Sequence, residues 1–183
     1  MIQSPVLFTA KNNLKFEIRT PREDEAQAAL DMMVIVAGES PYILGTPESF
    51  AKRPVEGQVK WFQESAASDS AIILAVYHEG RMVGFCDARS YKDIKRKHRA
   101  GLGISILAEY RGCGLGRKLM EVLLENIKRF AGIQIIELDV MTNNQSALKL
   151  YESLGFKHAG VFPKAFILPT GEVSDNLSMY LEV

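Results

Sequence analysis

The sequence contains little cysteine, no excess of charge of either sign and no long apolar run. Its two cysteines, Cys86 and Cys113, make neither a CxxC pair nor a disulfide framework, which excludes a cysteine-based metal ribbon and a small disulfide-stabilised fold. Basic and acidic residues number 22 each, so bulk charge gives no reason to expect nucleic acid or a membrane as a partner. No apolar segment approaches the ~18 residues that a membrane-spanning helix needs.

What the chain does contain is enough apolar sequence for one folded unit. Hydrophobic residues make up 47% of its 183 residues and charged residues 24%, as in ordinary globular proteins. We therefore predict a single domain over residues 1–183, in which the weakly patterned residues 1–13 form either a packed arm or a disordered segment. The N-terminal residues lack the basic region and apolar core of a signal peptide, so a reduced, cytoplasmic protein without a metal site is expected.

Apolar periodicity and breaker residues divide the remaining chain into strands and helices. A half-buried strand is predicted over Leu14–Arg19, and Thr20 followed by Pro21 and Glu23 predicts a helix N-terminus. Further elements are predicted as a helix at 55–67, a hairpin of 71–77 and 82–90, a strand at 102–107, a helix at 115–130, a strand at 133–141, a short helix ending near 153, and strands at 156–168 and 173–181. The expected fold class is α/β (α+β), with about seven strands in a mostly antiparallel sheet, one parallel pair and about four helices.

The segment Gly38–Pro54 is rich in glycine, proline and serine, and it carries the exposed-looking aromatics Tyr42 and Phe50. One interpretation is a plain connection between two helices. The other is a mobile wall of an acceptor pocket, because loops with aromatic residues often contact ligands.

The most informative stretch is a glycine-rich turn between a strand and a helix, Arg111–Gly116 (RGCGLG). Glycine tolerates φ > 0 and lets the backbone approach an anion, while the first amides of a helix are free to bind it. The spacing fails the Walker A pattern and the GxGxxG dinucleotide fingerprint. A methyltransferase-type GxGxG loop fits the glycines, but Tyr110 stands where an acidic residue is usual and too little chain follows for the rest of that sheet. A phosphorylated ligand is therefore predicted at this turn.

Two motifs together resemble one family, the GCN5-related N-acetyltransferases (GNAT). Arg111, Gly114 and Gly116 match its [RQ]xxGx[GA] motif, and Asn144–Phe156 is similar to its NxxAxxLYxxxGF segment. The resemblance extends from about Leu14 to the C-terminus. It implies the GNAT fold and transfer of an acetyl group from acetyl-CoA, a co-substrate, to a primary amine of a small molecule or a peptide or protein N-terminus. Dimerisation is an expectation of the resemblance alone.

The resemblance also implies which residues bind acetyl-CoA. Amides of the glycine turn would bind the pyrophosphate, the preceding strand would pair with the pantetheine arm, and Asn144 would hydrogen-bond that arm or serve only as a helix cap. Arg111 either adds charge to the phosphates or braces the turn. The predicted set is Ile104, Ser105, Ile106, Leu107, Arg111, Gly112, Cys113, Gly114, Leu115, Gly116, Arg117 and Asn144.

By the same resemblance, Tyr151 is the predicted catalytic residue, which would protonate the departing CoA thiolate. Ordinary pKa values of about 10 for tyrosine and about 8.5 for a thiol make complete transfer unfavourable. Tyr151 is therefore expected either to have a lowered pKa or to act as a hydrogen-bond donor.

The group that deprotonates the acceptor amine is not identified by the sequence. Relatives often carry a glutamate on the strand that enters the glycine turn, but the segment Ala100–Leu107 contains no acid. His98, Glu137 and Asp139 are the candidates. The missing acid keeps a second hypothesis open, an acyl-CoA-binding regulatory module without turnover.

Overall fold

One mixed sheet of eight strands organises the computed structural model, which describes residues 1–183. The strands are β1 Val6–Thr9, β2 Lys15–Arg19, β3 Ala71–His78, β4 Arg81–Ser90, β5 Arg99–Ile106, β6 Ile135–Met141, β7 Lys157–Ile167 and β8 Val173–Glu182. The helices are α1 Ala26–Glu39, α2 Pro47–Ala51, α3 Val55–Ala67, α4 Leu115–Ile127 and α5 Gln145–Ser153. The strand order is β1-β2-β3-β4-β5-β6-β8-β7. No helix has the length and apolar character needed to cross a bilayer.

The topology confirms the predicted mostly antiparallel sheet with a single parallel pair. That pair is β5 and β6, and every other neighbouring pair is antiparallel. The sheet has one more strand than the seven predicted, because Val6–Thr9 pairs with β2 in the segment expected to be an arm or disordered. Phe8 stacks on Phe16 across this pair with ring centroids 6.5 Å apart. Four residues of edge strand carry too short an alternation to be recognised in the sequence.

The two faces of the sheet carry different helices, and strand alternation decides which side chains each face receives. Phe85 of β4 contacts Trp61 of α3, with ring centroids 5.9 Å apart, so its face is the one that α1 and α3 cover. Ile106 of β5 lies against Gly116 of α4, on the opposite face. Cys86, adjacent to Phe85 in β4, also points to this α4 side. We call the two sides the α3 face and the α4 face.

The start of the first helix differs from the prediction. A single 3-10 turn occupies Glu23–Glu25 before α1 begins, and Arg22 rather than Thr20 takes the cap position. The Thr20 hydroxyl instead accepts a hydrogen bond from the Gln3 amide (2.8 Å). The predicted cap was wrong because a contact with the N-terminal segment, distant in sequence, engages that hydroxyl.

The segment Gly38–Pro54 is more ordered than a plain loop. Thr46 caps α2 by accepting a hydrogen bond from the Ser49 amide (3.2 Å). The side chain of Phe50 is buried in the core rather than exposed, and its ring lies close against Gly45. Tyr42 is half-buried and its hydroxyl donates to the carbonyl of Asn143 (3.1 Å), so this segment is bonded to the turn between β6 and α5.

Glu25 joins β2, the 3-10 turn and β3. Its carboxylate accepts hydrogen bonds from the Arg19 guanidinium (2.6 Å), the Arg22 amide (2.6 Å) and the Tyr77 hydroxyl (2.8 Å). Burial alone would raise the pKa of Glu25, but these donors lower it to about 2. The charged carboxylate therefore stabilises the fold above its unfolded pKa of about 4.3, and this contribution is lost as the pH falls toward 2.

We expect Glu25→Gln to lower the free energy of unfolding at pH 7 by roughly 2–3 kcal/mol, because a buried acceptor of three donors loses its charge. Urea unfolding between pH 2 and 7 measures this difference, which should shrink at the acid end. Glu64→Gln is the control, since Glu64 is exposed and lies 4.0 Å from Lys60. Equal effects of the two substitutions would contradict the assignment.

Candidate active site

A gap in the sheet creates the main cleft. The parallel strands β5 and β6 are paired only where Arg99–Gly101 meets Ile135–Glu137. Beyond these residues β5 continues along β4 and β6 continues along β8, so the two strands separate. The opening has a volume of about 600 Å³ and is lined by residues 102–106 and 138–141 and by the glycine turn. We call it the splay cleft; its walls include backbone groups of β5 that no strand partner covers.

The glycine turn presents a run of free amides to this cleft. Gly112 and Gly114 adopt φ values of 75° and 94°, which L-residues with side chains rarely adopt. Gly114 is the N-cap residue of α4, and Lys118 is the first residue whose amide bonds back to it (3.1 Å). None of the six successive amides from Gly112 to Arg117 donates to a protein acceptor. Such a row of donors at a helix N-terminus is suited to a phosphate-bearing ligand.

Positive side chains surround the turn. Arg111 donates from Nε to the carbonyl of Ile106 (2.7 Å), and its guanidinium lies 3.7 Å from Glu39. These contacts brace the turn. Because Arg111 also lines the splay cleft, its contact with phosphates stays a prediction. Arg117 is exposed and donates to the Ser153 hydroxyl (2.6 Å). Lys11, from the β1–β2 connection, also lines the cleft and was not predicted, because its position depends on pairing of β1.

Asn144 both caps α5 and faces the cleft. Its Oδ1 accepts a hydrogen bond from the Ala147 amide (3.3 Å), which is the helix-cap role. Its Nδ2 has no acceptor in the protein, and the residue lines the splay cleft. The cap fixes the orientation of the side chain and leaves two amide hydrogens available to a ligand.

Tyr151 of α5 lies at the inner end of the same cleft. Its side chain is buried against Phe156, with ring centroids 5.9 Å apart, and its hydroxyl has no hydrogen-bond partner in the protein. Burial raises the pKa of Tyr151 to about 12, with a smaller contribution from the neighbouring Cys86 thiol. Of the two alternatives left open by the sequence, this environment favours a protonated hydroxyl that donates a hydrogen bond.

The opposite wall of the splay cleft comes from segments far apart in the sequence. Tyr42, Ile43 and Leu44 approach from the α1–α2 connection, and Phe166 and Asn176 approach from β7 and β8. The bond from Tyr42 to the Asn143 carbonyl holds this wall against the β6–α5 turn. The interpretation of Gly38–Pro54 as a pocket wall therefore has direct support in the geometry.

A second cavity of about 900 Å³ adjoins the splay cleft on the α3 face and shares Gly103 and Asp139 with it. It contains the three residues that were candidates for the base. Glu137 accepts hydrogen bonds from Arg99 and Tyr91, and Asp139 accepts from Asn176 and Ser178. His98 lines the cavity at its outer end, next to the paired segment of β5.

One further carboxylate in this cavity, Asp87 of β4, was not predicted. It faces Gly103 across the β4–β5 pairing. Its sequence context, CDARS in an ordinary strand, carries no motif that would single it out. Only strand register could have placed it beside the strand that enters the glycine turn.

A sequence model of the acetyltransferase (GNAT) family matches residues 39–156 of this chain. This span is well over half of the chain, and it contains the diverging strands, the glycine turn and Tyr151. The chain belongs to the GNAT acetyltransferase family.

Individual GNAT relatives match parts of the chain or its fold. The spermine/spermidine N(1)-acetyltransferase of Bacillus subtilis is 30% identical over 91 residues, which make up 48% of this chain and 60% of that protein. The chain thus spans less than two thirds of this curated relative. A GNAT acetyltransferase from Streptococcus pneumoniae superposes with a TM-score of 0.87 at 23% identity, covering 92% of this chain and 99% of that one.

A further solved structure is yncA, a putative acetyltransferase from Salmonella typhimurium with acetyl-CoA bound. It superposes with a TM-score of 0.78 at 17% identity and covers 91% of this chain and 93% of that one. At these identities the two structures establish the shared GNAT fold.

The GNAT fold brings most of the predicted ligand residues together. Ile104, Ser105 and Ile106, the turn and Asn144 line the splay cleft or lie at its edge. Leu107 does not line the cleft. Its amide donates to Val83 (3.0 Å) and its carbonyl accepts from Tyr110 (3.0 Å). The side chains of Cys113 and Leu115 are buried in the core, so only their backbone amides are available to a ligand.

Proposed function

We propose that this GNAT protein is an acetyl-CoA-dependent N-acetyltransferase that transfers the acetyl group directly to a primary amine within a ternary complex. The observation that carries the proposal is the convergence of three free donors on one cleft. These are the unpaired amides of Gly112–Arg117, the Nδ2 group of Asn144 and the hydroxyl of Tyr151.

The donor half of the proposal is supported by the chemistry of the splay cleft. A pyrophosphate needs several hydrogen-bond donors and positive charge, which the turn amides, Lys11 and Arg117 supply. The pantetheine arm carries amides of its own, which can pair with the uncovered backbone of β5 as an added strand would. Asn144 lines the cleft where it can hydrogen-bond the same arm.

In the proposed reaction, Tyr151 stabilises the thiolate that leaves as the acetyl group is transferred. With a pKa of about 12 against about 8.5 for a thiol, complete proton transfer would cost roughly 5 kcal/mol. A hydrogen bond that strengthens as negative charge develops on sulfur avoids most of this cost. The thiolate then takes its proton from solvent or from the reaction's own released protons.

For the acceptor, the proposal is a primary amine of a small molecule or of a peptide or protein N-terminus. The Bacillus subtilis relative is named for spermine and spermidine, and polyamines are one class to test. The wall of Tyr42, Ile43 and Phe166 offers apolar contact to the carbon skeleton beside an amine.

The experiment that tests the proposal incubates the protein with acetyl-CoA and a panel of amines while free thiol is recorded. The panel contains spermidine, the L-amino acids and short peptides with free N-termini. Acetyl-CoA-dependent thiol release with at least one amine, and the matching acetylated product by mass, is expected. Tight binding of acetyl-CoA with no turnover across the panel would instead support the regulatory module.

We expect Tyr151→Phe to lower kcat at least tenfold while the Kd for acetyl-CoA changes by less than about threefold, because the hydroxyl acts on the leaving thiolate. Steady-state kinetics and calorimetry measure the two quantities. Tyr110→Phe is the control, since Tyr110 is also buried but lies outside the cleft. A kcat of Tyr151→Phe near that of the control would remove Tyr151 from the mechanism.

We expect Gly114→Ala to weaken coenzyme A binding at least tenfold. A Cβ at φ 94° is strained by about 1–2 kcal/mol, and the turn relieves that strain by moving its amides. The matched control is Gly132→Ala, which imposes similar strain at φ 72° but lies beyond the end of α4. Calorimetry should show the loss only for Gly114→Ala, whereas thermal unfolding should show similar destabilisation of both. Equal affinities in the two variants would refute the phosphate-binding turn.

A further inference from the structure

The proposed reaction requires a proton acceptor that the sequence does not identify. A lysine-like amine has a pKa of about 10.4 and is almost entirely protonated at pH 7, but only the neutral amine can attack a thioester. A group that binds the ammonium ion and takes its proton is therefore needed on the side from which the acceptor approaches.

The acidic residues of the second cavity differ in whether their oxygens are already engaged. Glu137 is held by Arg99 and Tyr91, and Asp139 by Asn176 and Ser178. Donors of the protein thus already occupy both oxygens of Glu137 and the Oδ1 atom of Asp139.

Asp87 differs, because no donor of the protein bonds to its carboxylate, and only burial and the charge of Arg89 act on it. Its Oδ1 lies 3.4 Å from the position that a Cβ on Gly103 would occupy. Gly103 lines both the splay cleft and the second cavity. The Asp87 carboxylate therefore lines the second cavity directly over a glycine that also lines the splay cleft.

This position is on the opposite side of the sheet from Tyr151. Asp87 follows Cys86 in β4, and side chains alternate along a strand. The Cys86 thiol acts on Tyr151 on the α4 face, so Asp87 points to the α3 face. The gap between β5 and β6 connects the two sides. A thioester in the gap would have Tyr151 on one side and Asp87 on the other.

We propose that Asp87 binds the acceptor ammonium ion and accepts its proton. This inference rests on the proposed acetyltransferase function and assigns the part of it that remained open. Because Gly103 has no side chain, the Asp87 carboxylate can lie directly over the β5 backbone, and the Tyr91 hydroxyl lies over Gly101.

The protons and electrons of this step balance without a further reactant. The ammonium group transfers one proton to the Asp87 carboxylate, and the neutral nitrogen attacks the acetyl carbon to form the C–N bond. The C–S bond then breaks, and the electron pair leaves with sulfur, hydrogen-bonded by Tyr151. The nitrogen releases a second proton, which neutralises the thiolate through solvent, and Asp87 returns its proton to solvent. One proton is released for each ammonium acetylated.

The surroundings of Asp87 suit this role. Burial raises the pKa of Asp87 to about 6, an effect that Arg89 partly opposes. The carboxylate is then mostly ionised at pH 7, yet it holds a proton more readily than an ordinary aspartate. The other titratable groups around this cavity are Tyr91, His98, Arg99, Glu137, Asp139 and Tyr180.

Kinetics with the best acceptor of the amine panel test the proposal. Asp87→Asn should lower kcat/KM at least 100-fold and remove the acid limb that begins near pH 6 in the wild type. The rate of the variant should then follow only the fraction of neutral amine over the whole pH range. Asp87→Glu should recover part of the rate. The matched control, Asp93→Asn, removes the same charge at a residue that pairs with Arg96 and lines neither cavity, and it should keep both the acid limb and a rate within about fivefold of the wild type. Retention of the rate and acid limb by Asp87→Asn would overturn the proposal.

A second measurement needs no acceptor and separates this inference from the proposed function. The raised pKa means that ionised Asp87 destabilises the fold, and this effect grows as the pH rises through about 6. Asp87→Asn should therefore raise Tm at pH 8 but not at pH 4. A lower Tm at pH 8 would show a structural role and overturn the proposal. Failure of the wild type to acetylate any amine would refute the proposed function itself. The Tm difference between the wild type and Asp87→Asn, in contrast, tests the role of Asp87 alone.

Discussion

The separation of two parallel strands is the constraint on which the rest of the molecule depends. β5 and β6 share only three paired positions before each follows its outer neighbour. Uncovered backbone groups in a sheet interior are costly unless a ligand or water satisfies them. The gap is stabilised from outside, by the antiparallel partners β4 and β8 and by α4, whose N-terminus opens onto it. A sheet that closed this gap would have no cleft for a donor.

The sheet also separates two chemical environments. On the α4 face, burial raises the pKa of Tyr151 and keeps its hydroxyl protonated. On the α3 face, burial raises the pKa of Asp87, whose carboxylate accepts no hydrogen bond from the protein. Each group carries a free-energy cost that the surrounding core must offset, which is usual where a fold maintains reactive groups. In the proposed reaction the two faces deal with opposite charges, a developing thiolate on one and an ammonium ion on the other. The missing side chain of Gly103 in β5 lets the Asp87 carboxylate lie close to the strand backbone.

The pattern of neighbouring residues along the chain made most of the secondary structure and the donor side of the site predictable. Apart from α2, which was not predicted, the strands and helices from Leu14 onward follow from apolar periodicity. The glycine turn follows from the φ > 0 that Gly112 and Gly114 adopt. Two errors came from distant contacts. The Thr20 hydroxyl accepts a hydrogen bond from Gln3, so it does not cap the helix. Phe50 is buried by segments that are distant in the sequence, and the residues next to it do not indicate this burial.

The sequence by itself determined the donor side of this protein, because a phosphate-binding turn is a local device whose glycines, helix start and cap all lie within a few residues. Only the tertiary structure decided the acceptor side. In the proposed reaction this side involves Asp87 of the second cavity and Tyr42 and Phe166 of the splay cleft. These residues come from separate segments that strand register and helix packing bring to two adjoining cavities. Whether a carboxylate is engaged, like Glu137, or free, like Asp87, depends on neighbours that are distant in the chain. Burial and pairing are properties of the folded surroundings, so residue type alone could not distinguish the two acids.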